Sequence, residues 1–202
     1  MGSALLVMDV QRAVVDAVDT AGAPDSAEGP GYLTRLRHAI DAARAADVLV
    51  AYVVIALRPG FPEVGTRNRA LAAVARAGLY VEGAPGTEIH PAVAPRPGDV
   101  VVTKRRASAF SGSDLDVVLR ARGIDSLVLT GIATSAVVLA TLCQANDLDF
   151  GLTVLSDGCL DPDPTVHQVL TERLFPQWAD VRTVDDWAEA TASSHGVRDG
   201  SP

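Results

Sequence analysis

Two residues of opposite charge close runs of apolar sequence. Asp9 ends Ala4-Leu5-Leu6-Val7-Met8, and Lys104 ends Val100-Val101-Val102-Thr103. A carboxylate at the end of such a run carries a desolvation cost unless a cation compensates it, and Lys104 is the natural partner. Pairing keeps Asp9 ionised, while a bound substrate can tip the proton either way, which suits Asp9 to general acid or base chemistry. The same pattern also fits an ion pair that merely closes the end of a sheet. Gly131-Ile132-Ala133-Thr134-Ser135 reads as a strand-to-helix turn. Thr134 or Ser135 is expected to cap the helix, whose free N–H groups and dipole favour an anion or an oxyanion. With no histidine nearby in sequence to activate them, these hydroxyls read as caps rather than nucleophiles.

Arg58, Lys104, Arg105 and Arg106 all follow apolar runs, in a chain of 202 residues with 17 Lys+Arg against 25 Asp+Glu and a formal charge of −8. A basic cluster on an acidic background would focus an anionic, carboxylate-bearing small molecule, and guanidinium groups hold carboxylates bidentately. Any one of these arginines could instead pair with Glu63 or Asp114. Phe110 and Phe61 are candidates for the apolar side of the pocket.

The elements that must position these groups alternate in type. Apolar runs at 4–8, 48–55, 100–103, 126–130 and 152–155, with a weaker one at 180–184, lack polar alternation, as strands covered on both faces do. Amphipathic helical stretches lie between them, at 32–46, 68–77, 114–121, 135–147, 165–175 and 185–192. Strand–helix alternation predicts right-handed crossovers and a three-layer α/β/α fold around a parallel sheet. Ligands bind such sheets outside the carboxyl ends of the strands. The expected site therefore gathers Asp9, Gln11, Arg58, Lys104, Arg105, Arg106, Gly131–Ser135, Asp157 and Cys159. Pro91, Pro95, Pro97 and Gly98 mark a connector within one domain spanning 1–192, and the polar end, 193–202, reads as a disordered tail.

The acidic balance argues against sequence-independent nucleic-acid binding. No apolar run approaches the length needed to cross a bilayer, so no membrane partner and a cytoplasmic location are expected. Cys143 and Cys159 make neither a disulfide framework nor a zinc motif. The four histidines, His38, His90, His167 and His195, are scattered, and His90 and His167 read as capping or pairing groups rather than metal ligands.

Leu6-Val7-Met8-Asp9-Val10-Gln11, Val101-Val102-Thr103-Lys104 and Leu129-Thr130-Gly131-Ile132-Ala133-Thr134 resemble the three signature segments of the isochorismatase-like cysteine hydrolases. The resemblance continues through Asp157-Gly158-Cys159 and Val166-His167. It implies a six-stranded parallel sheet, a homodimer or larger homo-oligomer, and a site built from an aspartate, a lysine and a cysteine beside a cis peptide. Asp9 and Lys104 match the first two, and the cis bond would be Ile132–Ala133. The family cysteine falls at Val137, which has no nucleophilic atom. Cys143 lies six residues further on, about 240° around the helix and ~9 Å along it. Cys159 reads as a packing residue rather than a displaced nucleophile.

Metal-binding members carry an aspartate and two histidines after the second strand. Ala56-Leu57-Arg58-Pro59-Gly60 offers none of these, so no metal and no cofactor is expected. Isochorismatases that lack the cysteine carry glycine there and use the aspartate to protonate a vinyl ether; Val137, larger than glycine, departs from them too. The resemblance thus implies a hydrolase of a small, anionic metabolite that works without a cysteine nucleophile. Its catalytic positions are Asp9, Lys104 and Val137, and its substrate-binding candidates are Gln11, Arg58, Arg105, Phe110, Ile132, Ala133, Thr134, Ser135 and Ala136. The alternatives are a non-catalytic relative that binds a metabolite or partner, and a C–N hydrolase using Cys159.

Overall fold

The computed structural model describes residues 2–19 and 31–196. Six strands form one all-parallel sheet: β1 (Gly2–Met8), β2 (Leu49–Ile55), β3 (Val100–Lys104), β4 (Ile124–Ile132), β5 (Gly151–Leu160) and β6 (Asp180–Arg182). Their order is β3-β2-β1-β4-β5-β6. The chain runs outward from β1 to one edge and then returns to build the other half, so the direction of winding reverses between β1 and β4.

Both faces of the sheet are covered, which is why the strands read as continuous apolar runs rather than alternating ones. In β1, Ala4, Leu6 and Met8 face one core, completed by α4 (Leu115–Ala121) and α5 (Leu139–Asp147). Leu5 and Val7 face the other, completed by α1 (Arg12–Asp19), α2 (Tyr32–Ala45) and α7 (Val184–Gly196). A third, smaller cluster joins Ile55, Leu57 and Leu71 and lies outside both; Leu71 comes from α3 (Arg69–Arg76). After β5 the chain forms α6 (Pro164–Val169) and a π-helical turn, Leu170–Leu174.

Three sequence expectations change. β5 continues past Leu155, because after an irregularity the strand pairs again, Gly131 with Cys159 and Ile132 with Leu160. Asp157 and Cys159 are therefore inside β5 rather than beyond it, the polar Ser156-Asp157 having masked the continuation. α1 was not expected, since its three valines directly follow a strand. The tail expected at 193–202 is helical as far as Gly196, and its remainder lies outside the described residues. Among the described residues no helix is long and apolar enough to cross a membrane.

Candidate active site

The reversal point between β1 and β4 is where an open parallel sheet leaves a crevice, and Asp9 and Gly131 stand on its two sides. Met8 pairs with Gly131, and Ile55, at the end of β2, pairs with Lys104 at the end of β3. At Gly131 φ is +139°, and a Cβ would approach the Met8 carbonyl oxygen to 2.2 Å; only glycine lets the two strands close up here. The next peptide bond, Ile132–Ala133, is cis.

Asp9 leaves the strand with φ of 55°, a left-handed conformation that aspartate tolerates better than most residues. Its amide donates to the Val53 carbonyl at 2.8 Å. Its side chain meets Lys104 Nζ, 2.9 Å from Oδ2, and Lys104 is 1% exposed. Nζ also donates to the Arg106 carbonyl at 2.9 Å, which leaves one of its three hydrogens without an acceptor among the described residues. Asp9 Oδ1 is buried with no hydrogen-bond partner among the described residues. Burial pushes the carboxyl up to about 6, against the downward pull of Lys104. Above that value Asp9 is an ionised acceptor with one oxygen free, the state a general base requires.

Both residues line a cavity of about 330 Å³. Ile132, Ala133, Ala136 and Val137 contribute from the β4 side, Ile55 from β2, and Val14, Ala17 and Val18 from α1. α3 and its flanks add Asn68, Ala70, Leu71, Val74 and Tyr80, while Ala107 and Pro162 complete the described lining. Asn68 Oδ1 is spent on the Leu71 amide at 3.1 Å, capping α3. The Tyr80 phenol is raised by burial and further by the Asp9 charge. The cavity is thus a mostly apolar chamber with one ion pair and the polar side chains of Asn68 and Tyr80. Its described lining includes no cysteine, serine or histidine, and Val137 presents only methyl groups.

Several expected ligand contacts are committed elsewhere. Gln11 is fully buried: its Nε2 donates to the Ile55 and Thr87 carbonyls at 2.9 and 2.8 Å, and its Oε1 accepts from the Ile55 amide at 2.9 Å. It ties the ends of β1 and β2 together and does not line the cavity. Arg58 pairs with Glu63 at 3.6 Å. Arg105 reaches the Ala56 carbonyl and Glu82, and Arg106 bonds the Arg105 and Glu63 carbonyls. None of the three arginines is among the lining residues. Phe110 packs on Phe150 with ring centroids 5.8 Å apart in a main core, and Phe61 packs in the third cluster.

Nor do Thr134 and Ser135 cap the following helix. It opens as a π-helical turn, Thr134–Val138, with no side-chain cap from its N-cap residue. Asp161, delivered from the end of β5, accepts from the Ser135 amide at 2.7 Å. That carboxylate occupies a donor that the sequence reading reserved for a ligand. The Thr134 hydroxyl is 2.8 Å from His167 Nδ1, and His90 Nδ1 accepts from the Ala92 amide at 3.3 Å. Among the described residues no group of three or more His, Cys, Asp or Glu side chains could hold a metal ion.

Cys159 is buried among apolar side chains, with its Sγ 3.8 Å from the Leu129 carbonyl. Burial drives its thiol well above the ordinary range, so it holds its proton and is a poor nucleophile. Cys143 is exposed. Iodoacetamide should therefore label native protein at Cys143 alone, with Cys159 reacting only after denaturation. Peptide mapping checks this, and rapid native labelling of Cys159 would contradict its burial.

A family model described as the isochorismatase domain matches residues 3–186. The ureidoacrylate amidohydrolase RutB of Variovorax paradoxus is 36% identical, over 94% of this chain and 81% of its own length. Among solved structures, a cysteine hydrolase from Pseudomonas syringae pv. phaseolicola shares the fold, with a TM-score of 0.82, 24% identity, and coverage of 95% of this chain and 92% of that one. The N-carbamoylsarcosine amidase of Thermoplasma acidophilum is similar at a TM-score of 0.72 and 27% identity, covering 92% of this chain and 98% of its own.

Proposed function

The chain belongs to the isochorismatase family, and from that premise we propose that this isochorismatase-like hydrolase cleaves a C–N bond of a small ureido or amide metabolite by direct attack of water, with Asp9 as general base. The carrying observation is the buried Asp9–Lys104 pair with Asp9 Oδ1 unspent in a chamber whose described walls offer no thiol. The bond type is suggested by the relatives, whose names denote a ureidoacrylate amidohydrolase and an N-carbamoylsarcosine amidase. The apolar walls, with Arg58, Arg105 and Arg106 engaged elsewhere, favour a neutral, apolar body on the substrate over the carboxylate-bearing one expected from the arginine cluster.

In the proposed reaction a water hydrogen-bonds to Asp9 Oδ1 and loses its proton to it as the water oxygen bonds to the carbonyl carbon. The unspent Lys104 hydrogen faces the negative charge that develops on the carbonyl oxygen. Asp9 then returns the proton to the departing nitrogen, and the C–N bond breaks. No bond to the protein forms at any stage.

The test is ammonia release from a panel of N-carbamoyl compounds, neutral and carboxylate-bearing, followed in ¹⁸O water with mass analysis of the quenched enzyme. Neutral ureides should be preferred, the protein should carry no adduct, and the label should appear in the product. A covalent acyl-protein, or binding without any conversion, overturns the reading. The pH profile separates base from acid. As a base, Asp9 must be ionised, so kcat/KM should rise about tenfold per pH unit towards 6 and level off above it. A vinyl-ether hydrolase using Asp9 as the proton donor would lose activity above the same value.

A further inference from the structure

The turn that forms the β4 wall of the cavity is held from behind. Thr134 is completely buried, and among the described residues its Oγ1 has one partner, His167 Nδ1, at 2.8 Å. Thr134 sits between Ala133 and Ala136, two lining residues, but does not itself line the cavity. His167 belongs to α6, on the far side of the turn, where it borders a separate groove of about 310 Å³ together with Asp157, Gln168, Thr171 and Glu172. One hydrogen bond therefore links the groove to the wall of the reaction chamber.

We propose that His167 is a positioning residue, holding the Ile132–Val137 turn through the Thr134 hydroxyl, and that the turn shifts when a second proton on the imidazole reverses that hydrogen bond. With its hydroxyl donating, Thr134 requires Nδ1 as an acceptor, which places the ring proton on Nε2. A second proton makes Nδ1 a donor, so the hydroxyl must turn to accept from it, and its own buried hydrogen is left with no acceptor among the described residues. Burial lowers the imidazole's affinity for that proton, opposed by Asp161, so the neutral, holding form is favoured. Among the described residues the charge acting on the ring is Asp161, from the end of β5; Asp157 of β5 and Glu172 of the π-helical turn border the same groove, and the 134–138 turn brings no charged side chain.

The positional claim needs no substrate, whereas a role in turnover rests on the hydrolase reading above, so the two can fail separately. Protein labelled with ¹⁵N in its histidine rings and ¹³C in its alanine methyls is followed from about pH 8 to about pH 5, the span over which histidine changes charge. The Asp9→Asn background removes the titrating group that itself lines the cavity. At the upper end the His167 ring proton should lie on Nε2. The Ala133 and Ala136 methyl signals should then move with the same midpoint as the His167 ring.

Thr134→Val, which keeps the shape and removes the hydroxyl, should leave the ring titrating while the methyl response falls severalfold; Thr134→Ser should keep it. Should Thr134→Val not fold, His167→Gln must abolish the methyl transition instead. A methyl response that persists in either variant, or ring titration without methyl movement in the parent, overturns the proposal. In turnover with Asp9 restored, Thr134→Val should lower kcat about tenfold, the scale of a slightly misplaced catalytic wall, with KM little changed and Thr134→Ser restoring the rate.

Discussion

Replacing Asp9 by Asn should lower kcat by roughly 10²–10⁴-fold, the usual worth of a positioned general base. Asparagine keeps the size of the side chain and a carbonyl oxygen for Lys104, so the cavity should keep its form, but it cannot take a proton from water. The expected signature is a loss of rate at every pH, with the rise towards pH 6 abolished and the thermal transition still cooperative. Steady-state kinetics on the best substrate of the carbamoyl panel, beside a thermal melt, measures both. Unchanged turnover in a folded Asp9→Asn protein would remove Asp9 from the chemistry and leave the ion pair as a closure of the sheet.

Replacing Lys104 by Met should act on stability and on the pH profile together. Lys104 is almost completely buried, and methionine fills similar volume without the charge. Breaking a buried pair by removing one partner typically costs about 3–5 kcal/mol, because the remaining charge is left uncompensated. The sign with pH follows from Asp9. Its carboxyl already stands at about 6 in the native protein against 3.8 when free. The folded state therefore keeps its proton longer than the unfolded one, and the associated stability, about 3 kcal/mol, is present below the unfolded value and lost as pH rises through about 6. Without Lys104 that carboxyl moves higher still, so stability continues to decline into the neutral range and the rise in kcat/KM shifts to higher pH. Urea titrations at several pH values, paired with the rate profile, test both shifts. A Lys104→Met protein with unchanged stability and an unmoved rate profile would show that the ammonium does not control Asp9.

The sheet was legible because its inner strands are covered on both faces and so read as short runs of Leu, Val and Ile without polar alternation. The ion pair was legible for the same reason, since a charge at the end of such a run has few places to go. What failed depended on contacts between distant parts of the chain. Arg58, Arg105 and Arg106 announce a charge, but not that backbone carbonyls and glutamates absorb it. The amide of Ser135 reads as free until Asp161, 26 residues later, is seen to accept from it. Gln11 reads as a ligand contact at a strand end, yet it is a brace whose partners come from β2 and from Thr87. The α1 and α3 walls escaped notice for a different reason. Val14, Ala17, Val18, Leu71, Val74 and Tyr80 carry no chemical signature, although the apolar spacing of Val14, Val15 and Val18 was there to be read as a helix.

The third apolar cluster gives the molecule an unequal tolerance to change. One side of the chamber is made from the sheet itself, where an added methyl at Gly131 would strike the neighbouring strand. The opposite side rests on Leu71, Val74 and Tyr80, packed in a patch separate from the two main cores. Selection or a protein engineer can therefore remodel what is admitted by altering that patch while the Asp9–Lys104 pair stays put, and substrate preference in such an enzyme is free to drift faster than its architecture.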